Sequence, residues 1–281
     1  MNPSEDIRPS PIAGTWYSGS QTRLSSQIDE FCSQAKPASI SGKVIALLAP
    51  HAGHVYSGLT AAYAYKTVEG NTYDLVIIVS PSHGYYPQAV ITSAHREYAT
   101  PLGRVPVHQQ ALAAFSQTME ELHQEFAGVR NDNEHSIEIQ LPFLQRVLKG
   151  NFQLLPIMMR AQDWQTVQRV EQGIAPLMKQ YHTLLVASSD LSHFYPEDIA
   201  DQLDETMLHQ VELFSPQGVL KAEEDGSGSA CGAGPIAVVL AAASQVGADQ
   251  VKILHHSTSA DVTGDRSSVV GYGAAVVTSK K

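Results

Sequence analysis

Three short apolar segments, each followed closely by a histidine, limit most strongly what this chain can fold into. Each segment is too short for an amphipathic helix and too evenly apolar for a strand with one solvated face. Such runs are typical of strands that are buried on both faces of a parallel sheet. Because open α/β sheets bind ligands at the carboxyl ends of their strands, we expect the functional site at this edge. The predicted strands span residues 43–49, 74–80 and 183–189, and the histidines that follow them are His51, His83 and His193.

The rest of the chain alternates between helical and strand patterns, and this order predicts a single α/β domain over residues 1–281. Its central sheet should be mostly parallel or mixed, with antiparallel edge strands, and flanked by helices. We expect an irregular lead-in over residues 1–19 and a flexible connector over the acidic residues 223–229. Pro142 should either bend the helix that opens near Asn133 or mark its first turn. The other predicted helices span 20–35, 58–69, 108–118, 163–180, 196–214 and 236–245, and a short helix is predicted to start at Ser215-Pro216. The other predicted strands span 89–92, 152–159, 250–257 and 268–278, with a hairpin or edge strand at 97–107.

The composition excludes several classes of function. The 281 residues carry a formal net charge of −10 and no cluster of lysines and arginines, so a nucleic-acid partner is not expected. No apolar run approaches the about 20 residues that span a bilayer, so no membrane association is expected. The N-terminus is polar and lacks the apolar core of a secretory signal, which predicts a cytoplasmic protein. Since Cys32 and Cys231 are the only cysteines, we expect no disulfide framework.

Two of the strand-end histidines, His51 and His83, are the best candidates for metal ligands. Neutral imidazole is the commonest metal ligand among side chains, and two rings from adjacent strand ends can converge on one ion. The alternative is that each ring only satisfies backbone groups in a tight turn. Cys231 is the third candidate, because it lies just ahead of a predicted helix whose dipole favours the thiolate. Its alternative role is that of a small residue in a tight loop.

Asp190 and His193 form a candidate pair for proton transfer. They are three residues apart, so a helical turn would place both side chains on one face. A carboxylate beside an imidazole raises the pKa of the ring and fixes its orientation, as a general base requires. The alternative is that Asp190 only caps a helix. His135 either lines the same pocket or belongs to the start of a helix, and the sequence leaves both open.

Five ordered motifs, together with an early Gly14-Thr-Trp-Tyr17, resemble the Memo family over about residues 8–278, which is nearly the whole chain. The resemblance implies a fold similar to that of the class III extradiol dioxygenases (LigB-like), which open catechol rings with non-haem iron. It also implies that His51, His83 and Cys231 are the metal ligands and that the ion is iron(II) or copper. The motifs are Leu48-Ala-Pro-His-Ala-Gly-His-Val-Tyr-Ser-Gly58, Ser80-Pro-Ser-His83, Glu134-His-Ser-Ile-Glu-Ile-Gln-Leu-Pro-Phe-Leu144, Ser188-Ser-Asp-Leu-Ser-His193 and Cys231-Gly-Ala-Gly-Pro-Ile236.

The resemblance also implies roles for the remaining site residues and for partners. His193 matches the catalytic base of the dioxygenases, and Asp190 and His135 line the same pocket. The animal member of the family is known as a mediator of receptor-driven cell motility that binds phosphotyrosine peptides. Prokaryotic relatives, the AmmeMemoRadiSam system protein B group, are often encoded beside a radical-SAM protein and an AMMECR-type protein. We therefore expect these two as pathway partners, together with an unknown small-molecule substrate.

One departure from the dioxygenases bears on the chemistry. Those enzymes hold iron with two histidines and a carboxylate, whereas Cys231 stands here in the place of the carboxylate. A thiolate is softer than a carboxylate, favours Cu(I) or a thiolate-bound Fe(II), and can itself be oxidised. The substitution therefore separates this chain from catechol cleavage as such.

Two hypotheses about function follow from these residues. The first is a metal-dependent, dioxygenase-like oxidoreductase in which His193, oriented by Asp190, moves protons. The second is a non-catalytic module that uses the inherited pocket to bind an anionic or phenolic group, such as phosphotyrosine, on a ligand or protein partner. The metal content of protein purified without added metal would discriminate between them.

Overall fold

Strands and helices alternate along the part of the chain that a computed structural model describes, which is residues 6–130 and 132–280. The first five residues of the predicted lead-in lie outside these described residues. The strands are β1 (Ile7–Arg8), β2 (Lys43–Ala49), β3 (Leu75–Pro81), β4 (Val90–Ser93), β5 (Glu97–Thr100), β6 (Gly103–Pro106), β7 (Phe126–Val129), β8 (Gln153–Met159), β9 (Thr183–Ser188), β10 (His193–Tyr195), β11 (Gln250–Thr258) and β12 (Val269–Ser279). The helices are α1 (Gln21–Gln34), α2 (His54–Tyr65), α3 (Gln109–Glu121), α4 (Leu141–Val147), α5 (Trp164–Gln180), α6 (Glu197–Glu212), α7 (Pro216–Asp225), α8 (Ala233–Ser244) and α9 (Ala260–Thr263), with single 3-10 turns at Lys66–Val68 and Glu138–Gln140.

The main sheet of the described chain has nine strands, and its centre is parallel. Neighbouring strands follow the order β10-β12-β2-β9-β3-β8-β4-β7, and β11 pairs with β12. The central strands β2, β9, β3 and β8 are parallel to one another. The outer strands β12, β11, β10 and β4 join through antiparallel pairs. The predicted mixed sheet with antiparallel strands towards its edges is therefore confirmed, and β1, β5 and β6 form a separate small sheet.

Both faces of the central strands are buried, which explains why their sequences are continuously apolar. In β3, Leu75, Ile77 and Val79 pack into the core on one face, and Val76 and Ile78 pack into the core on the other. Helices α3, α5, α6, α7 and α8 cover the first face, and α1, α2 and α4 cover the second. The described residues thus form one α/β domain with helices on both sides of the sheet, as the sequence predicts. None of these helices has both the length and the apolar character needed to cross a membrane.

The order of the strands differs from the sequence-based expectation at one point that matters for the site. His51 follows β2 and His83 follows β3, and these strands were expected to be neighbours. That expectation is wrong, because β9 lies between them and pairs with both. The chain order does not fix the spatial order of parallel strands, since each crossover can skip a position. The loop after β9, which carries Asp190, is therefore the central one of the three.

Two helices differ in extent from those that the sequence predicts. Helix α2 begins at His54 rather than at Gly58, and the glycine serves packing, because a Cβ there would lie 2.4 Å from the ring of Phe31 in α1. Helix α7 continues to Asp225, so the predicted flexible connector is wrong over its first three residues. The rest of that connector is held in place, because Glu223 accepts a hydrogen bond from the N–H of Ala230.

Candidate metal centre

The three residues predicted as metal ligands lie together at the carboxyl edge of the sheet. Their candidate donor atoms all lie within 4.8 Å of one another. The Cys231 Sγ is 3.1 Å from His51 Nε2, and the rings of His51 and His83 meet edge to face with centroids 5.3 Å apart. Donors that share one ion at metal–ligand distances of 2.0–2.3 Å lie about 3–4 Å apart. The arrangement of His51, His83 and Cys231 is therefore compatible with a single small metal ion.

His51 is buried and neutral. Its side chain sits in the loop after β2 with 1% exposure, and its Nδ1 is 3.2 Å from Ser188 Oγ. Burial lowers the pKa of His51 to about 3, and the charge of His83 adds to the effect. An imidazole without a positive charge keeps one unprotonated nitrogen, which is the form that binds a metal.

His83 is held by the carboxylate of Glu134. Its Nδ1 is 2.9 Å from Glu134 Oε1, and its backbone N–H donates to Glu134 Oε2. The hydrogen bond to Glu134 raises the pKa of His83 against the opposing effect of burial. Burial also disfavours ionised Glu134, but the hydrogen bonds from His83 outweigh it and hold the pKa of this carboxyl well below its usual range. Since an ionised carboxylate can only accept, His83 carries hydrogen on Nδ1 and its Nε2 is left for a metal.

A second group of metal-compatible side chains overlaps the first and does not form a separate site. His83, Glu134 and His135 also have donor atoms within 4.8 Å of one another. Glu134 already accepts hydrogen bonds from His83 Nδ1 and from the backbone N–H groups of His83, His135 and Ser136. Both carboxylate oxygens are therefore occupied, and Glu134 supports His83 instead of binding an ion.

Cys231 is fixed by the backbone on either side of it. Gln162 donates to the carbonyl of Cys231 at 2.8 Å and accepts from the N–H of Gly234 at 2.7 Å. The N–H of Gly232 donates to Ser189 Oγ, and a Cβ at Gly232 would lie 2.7 Å from the Ser189 side chain. Only glycine lets this loop approach the end of β9 so closely. Position 231 is thus set by contacts on both sides.

The thiol of Cys231 does not behave as the sequence predicts. Cys231 precedes the first residue of α8, Ala233, by two positions, so the helix N-terminus was expected to favour its thiolate. Burial instead raises the pKa of the Cys231 thiol well above its usual range, and the nearby carboxylate of Asp190 raises it further. In the protein without metal, desolvation outweighs the helix dipole. The thiolate therefore needs a cation at the site to stabilise it.

The segment from Asp190 to His193 is extended and not helical. The N–H of Leu191 donates to the carbonyl of Gly271, and the N–H of Gly271 donates to the carbonyl of Ser192. The expected helical turn is therefore wrong, because the segment gains hydrogen bonds by joining β12 as β10. His193, the first residue of β10, is therefore paired with β12 and does not share a helical face with Asp190.

Asp190 supports the His51 loop and not the ring of His193. Its Oδ1 accepts from the backbone N–H groups of His51 at 2.7 Å and Ala52 at 3.2 Å. His193 Nδ1 donates to the carbonyl of Leu191 at 2.9 Å, so that carbonyl keeps hydrogen on Nδ1. The expected orientation of His193 by a hydrogen bond to Asp190 is wrong, and so is a simple helix-capping role for Asp190. Burial raises the pKa of Asp190, although the N–H of His51 acts against this.

His135 lines the pocket, which is the first of the two roles that the sequence leaves open. Its ring stacks on His83 with centroids 4.6 Å apart and lies edge to face with His51 at 5.3 Å. Trp16 covers its other side at 4.1 Å. Burial lowers the pKa of His135 to about 4, and the neighbouring imidazole of His51 acts in the same direction.

Several supporting residues are not among the sequence-based candidates. Glu134 and Gln140 lie in a motif singled out in the sequence, and each is a polar residue that is buried in the fold. Their burial could have been suspected from the apolar residues around them. Ser188 also lies in such a motif, at the end of a predicted buried strand, whereas Gln162 carries no such signal. The importance of both depends on contacts 48 and 69 positions away in sequence, respectively.

Comparison with known proteins gives a match over nearly the whole chain. The family described as Memo-like protein matches residues 8–276. A MEMO1 family protein of Nitrosopumilus maritimus is 33% identical over 273 residues, which cover 95% of this chain and 98% of that protein. A MEMO1 family protein of Methanopyrus kandleri is 35% identical over 249 residues, covering 85% of this chain and 84% of the other. A MEMO1 family protein of Methanocaldococcus jannaschii is 33% identical over 291 residues, covering 96% and 99%.

Proposed function

The chain belongs to the Memo family, and from this premise we propose that it binds one ion of iron(II) or copper through His51, His83 and Cys231. The convergence of these three donor atoms within 4.8 Å carries the proposal. Two imidazoles and a sulfur form a donor set that suits copper and thiolate-bound iron better than magnesium or calcium. Three protein ligands also leave further positions of the ion open, as in catalytic metal sites.

We further propose that the site carries out redox chemistry of the oxygenase type on a small substrate. The bound metal would supply Lewis acidity and a change of oxidation state. The chain's own residues would hold the ligands and handle protons. His193 is suited to the second task, because its Nδ1 donates to the Leu191 carbonyl and its Nε2 is free to accept a proton. Asp190 holds the loop of His51 through two backbone hydrogen bonds.

A purely binding role for an anionic group has weaker support. Two carboxylates, Glu134 and Asp190, flank the candidate ligands, and Glu134 is ionised beside His83. A phosphate-like ligand that entered without a metal would meet this negative charge. Association with a radical-SAM protein and an AMMECR-type protein remains a proposal that rests on the family resemblance.

The proposal is tested by the metal content of the full chain and its variants after anaerobic loading with Fe(II) or Cu(I). We expect His51→Ala and Cys231→Ser to lose the ion and His193→Ala to keep it, since His193 is assigned to proton transfer. If a substrate is found, turnover in His193→Ala should fall by about 10²–10⁴-fold, the usual effect of losing a general base.

Two controls separate ligand loss from general damage. Cys32→Ser removes the other free cysteine, which is buried in α1, and His255→Gln removes a histidine that packs on Tyr63. Both should bind metal like the wild type. Equal metal loss in His193→Ala and His51→Ala would instead make His193 a ligand, and normal binding in Cys231→Ser would remove sulfur from the site.

A further inference from the structure

We propose that Gln140 and Ser188 hold His51 in the one tautomer that carries hydrogen on Nδ1, so that the Nε2 lone pair faces Cys231. The inference rests on the proposed metal site for its purpose and deepens it. Gln140 and Ser188 would act as positioning residues, because neither reaches the metal itself. The direction of each hydrogen bond in this buried network follows from which atoms can donate and which can only accept.

The first step fixes the side-chain amide of Gln140. Its Nε2 lies 2.9 Å from the carbonyl oxygen of Pro50 and 2.8 Å from Ser188 Oγ, and its Oε1 lies 2.7 Å from the hydroxyl of Tyr65. The Pro50 carbonyl can only accept a hydrogen bond. A reversed amide would place two oxygens against each other in a residue that is 1% exposed. The NH₂ group of Gln140 therefore faces Pro50 and Ser188.

The second step fixes the hydroxyl of Ser188. It has one hydrogen and two lone pairs. The hydrogen goes to the carbonyl of Ser136 at 2.6 Å, which is another pure acceptor. One lone pair accepts from Gln140 Nε2. Only the second lone pair is left for His51 Nδ1 at 3.2 Å, so this ring nitrogen must donate.

The third step concerns the other ring nitrogen of His51. The imidazole form that binds a metal is neutral and carries one ring hydrogen, and in His51 that hydrogen is on Nδ1. Nε2 is therefore unprotonated, and it is the ring nitrogen that lies 3.1 Å from Cys231 Sγ. Glu134 likewise keeps hydrogen on the Nδ1 of His83. In both rings Nε2 is thus the nitrogen that is available to a metal.

The chain offers a matched control for the hydroxyl–imidazole contact. Thr60 Oγ1 lies 3.0 Å from His255 Nδ1, and Thr60 is 1% exposed, as buried as Ser188. His255 is in β11, outside the candidate metal centre. Thr60→Val therefore breaks a contact of the same chemistry without touching Gln140, Ser188 or His51.

The primary test is nitrogen NMR of the histidine rings in metal-free protein, with His51→Gln used to assign the His51 signals. We expect wild-type His51 to show a protonated Nδ1 and an unprotonated Nε2. Ser188→Ala should move hydrogen towards Nε2, Gln140→Met should do so to a smaller extent, and Thr60→Val should have no effect. The dissociation constant for Fe(II), measured anaerobically, should rise about 10–100-fold in Ser188→Ala, as for other residues that orient metal-binding histidines.

The inference is overturned if wild-type His51 carries its hydrogen on Nε2, or if Ser188→Ala changes neither the tautomer nor Fe(II) affinity. Should Ser188→Ala fail to fold, the wild-type spectrum and Gln140→Met decide the question alone. If wild-type His51 is the Nδ1–H tautomer and the variants disturb it, but none of the proteins binds Fe(II), the positioning role of Gln140 and Ser188 is supported. The proposed function is then contradicted.

Discussion

At the scale of single residues, each candidate ligand is held in place by a partner residue on the side away from the proposed metal. For His83 this partner is Glu134, whose two oxygens accept from the ring and from three backbone N–H groups. The residue types at the strand ends were enough to single out His51 and His83 as candidate metal ligands from the sequence. The partners could not be predicted, because a buried carboxylate and a surface carboxylate look alike in sequence.

Replacing Glu134 tests this dependence. In Glu134→Gln the amide accepts more weakly and presents its own N–H groups to backbone donors, so His83 loses its fixed orientation. We expect Fe(II) affinity, measured by competition with a chelator, to fall about 10–100-fold. Glu171→Gln is the control, since Glu171 lies in α5 and burial also raises the pKa of its carboxyl. Equal affinities in the two variants would contradict the role given to Glu134.

At the scale of elements, β1 anchors the segment that carries Glu134 and His135. Arg8 is 1% exposed and donates to Asp132 at 2.7 Å, to Glu138 at 2.5 Å and to the carbonyl of Glu134 at 2.6 Å. A buried guanidinium needs such compensation, since an unpaired charge in the core is costly. The two-residue strand therefore does more than close the small sheet, because it fixes one wall of the candidate metal centre.

The contribution of this anchor is measurable by urea unfolding. Arg8→Met leaves two buried carboxylates without their cation, and we expect it to lower the free energy of unfolding by about 3–5 kcal/mol. Arg146→Met is the matched control, because Arg146 makes a bidentate pair with Asp29 on the surface. Exposed pairs contribute only about 0–1 kcal/mol. Similar decreases in the free energy of unfolding of both variants would show that burial of the Arg8 ion pairs contributes no additional stability.

The elements that the sequence missed share a physical cause. Strand β2 is found at the predicted residues 43–49 because its own apolar run specifies it. Strands β7 and β10 have only four and three residues, and they exist because distant strands, β4 and β12, offer hydrogen bonds. Local patterns do not contain that information. From the sequence, Pro142 either bends a helix or marks its first turn, and the structure has it in the first turn of α4.

At the scale of the whole molecule, a second buried carboxylate connects α6 and β11 to the segment that leads to His193. Asp204 in α6 is fully buried, accepts from the N–H of Ser192 at 2.9 Å and accepts from His256 Nε2 at 2.8 Å. Burial acts to lower the pKa of His256, but Asp204 raises it more, with further help from Asp201 and Asp261. The net result is a raised pKa for His256 in the folded protein.

This shift gives stability a dependence on pH with a defined sign. A histidine with a raised pKa in the folded state contributes fully below its unfolded pKa of about 6.5 and loses that contribution as pH rises through the folded value. We expect the free energy of unfolding to decline above about pH 6.5 more steeply in wild type than in His256→Gln, which does not titrate. Urea unfolding over this pH range measures the difference. The same pH dependence of the free energy of unfolding in wild type and His256→Gln would contradict the stabilising role of the Asp204–His256 pair.

The fold class of the whole molecule could be predicted because alternating patterns and doubly buried strands leave few architectures open. The order of the central strands could not, since β9 separates β2 from β3 for reasons of packing across the domain. The likeness to the extradiol dioxygenase fold stays a prediction from the family resemblance. The cluster of His51, His83 and Cys231 depends on the loops after β2 and β3 and on the loop before α8, so it is a property of the complete domain.

X-ray absorption spectroscopy of the anaerobically Fe(II)-loaded wild-type chain identifies the atoms that bind the ion. We expect one sulfur at about 2.3 Å and imidazole nitrogens at about 2.0–2.1 Å from the ion. The sulfur should be absent from Cys231→Asp, which supplies an oxygen ligand in its place, and present in Cys32→Ser. A wild-type spectrum with only nitrogen and oxygen neighbours, or a sulfur that persists in Cys231→Asp, would contradict a metal site built from His51, His83 and Cys231.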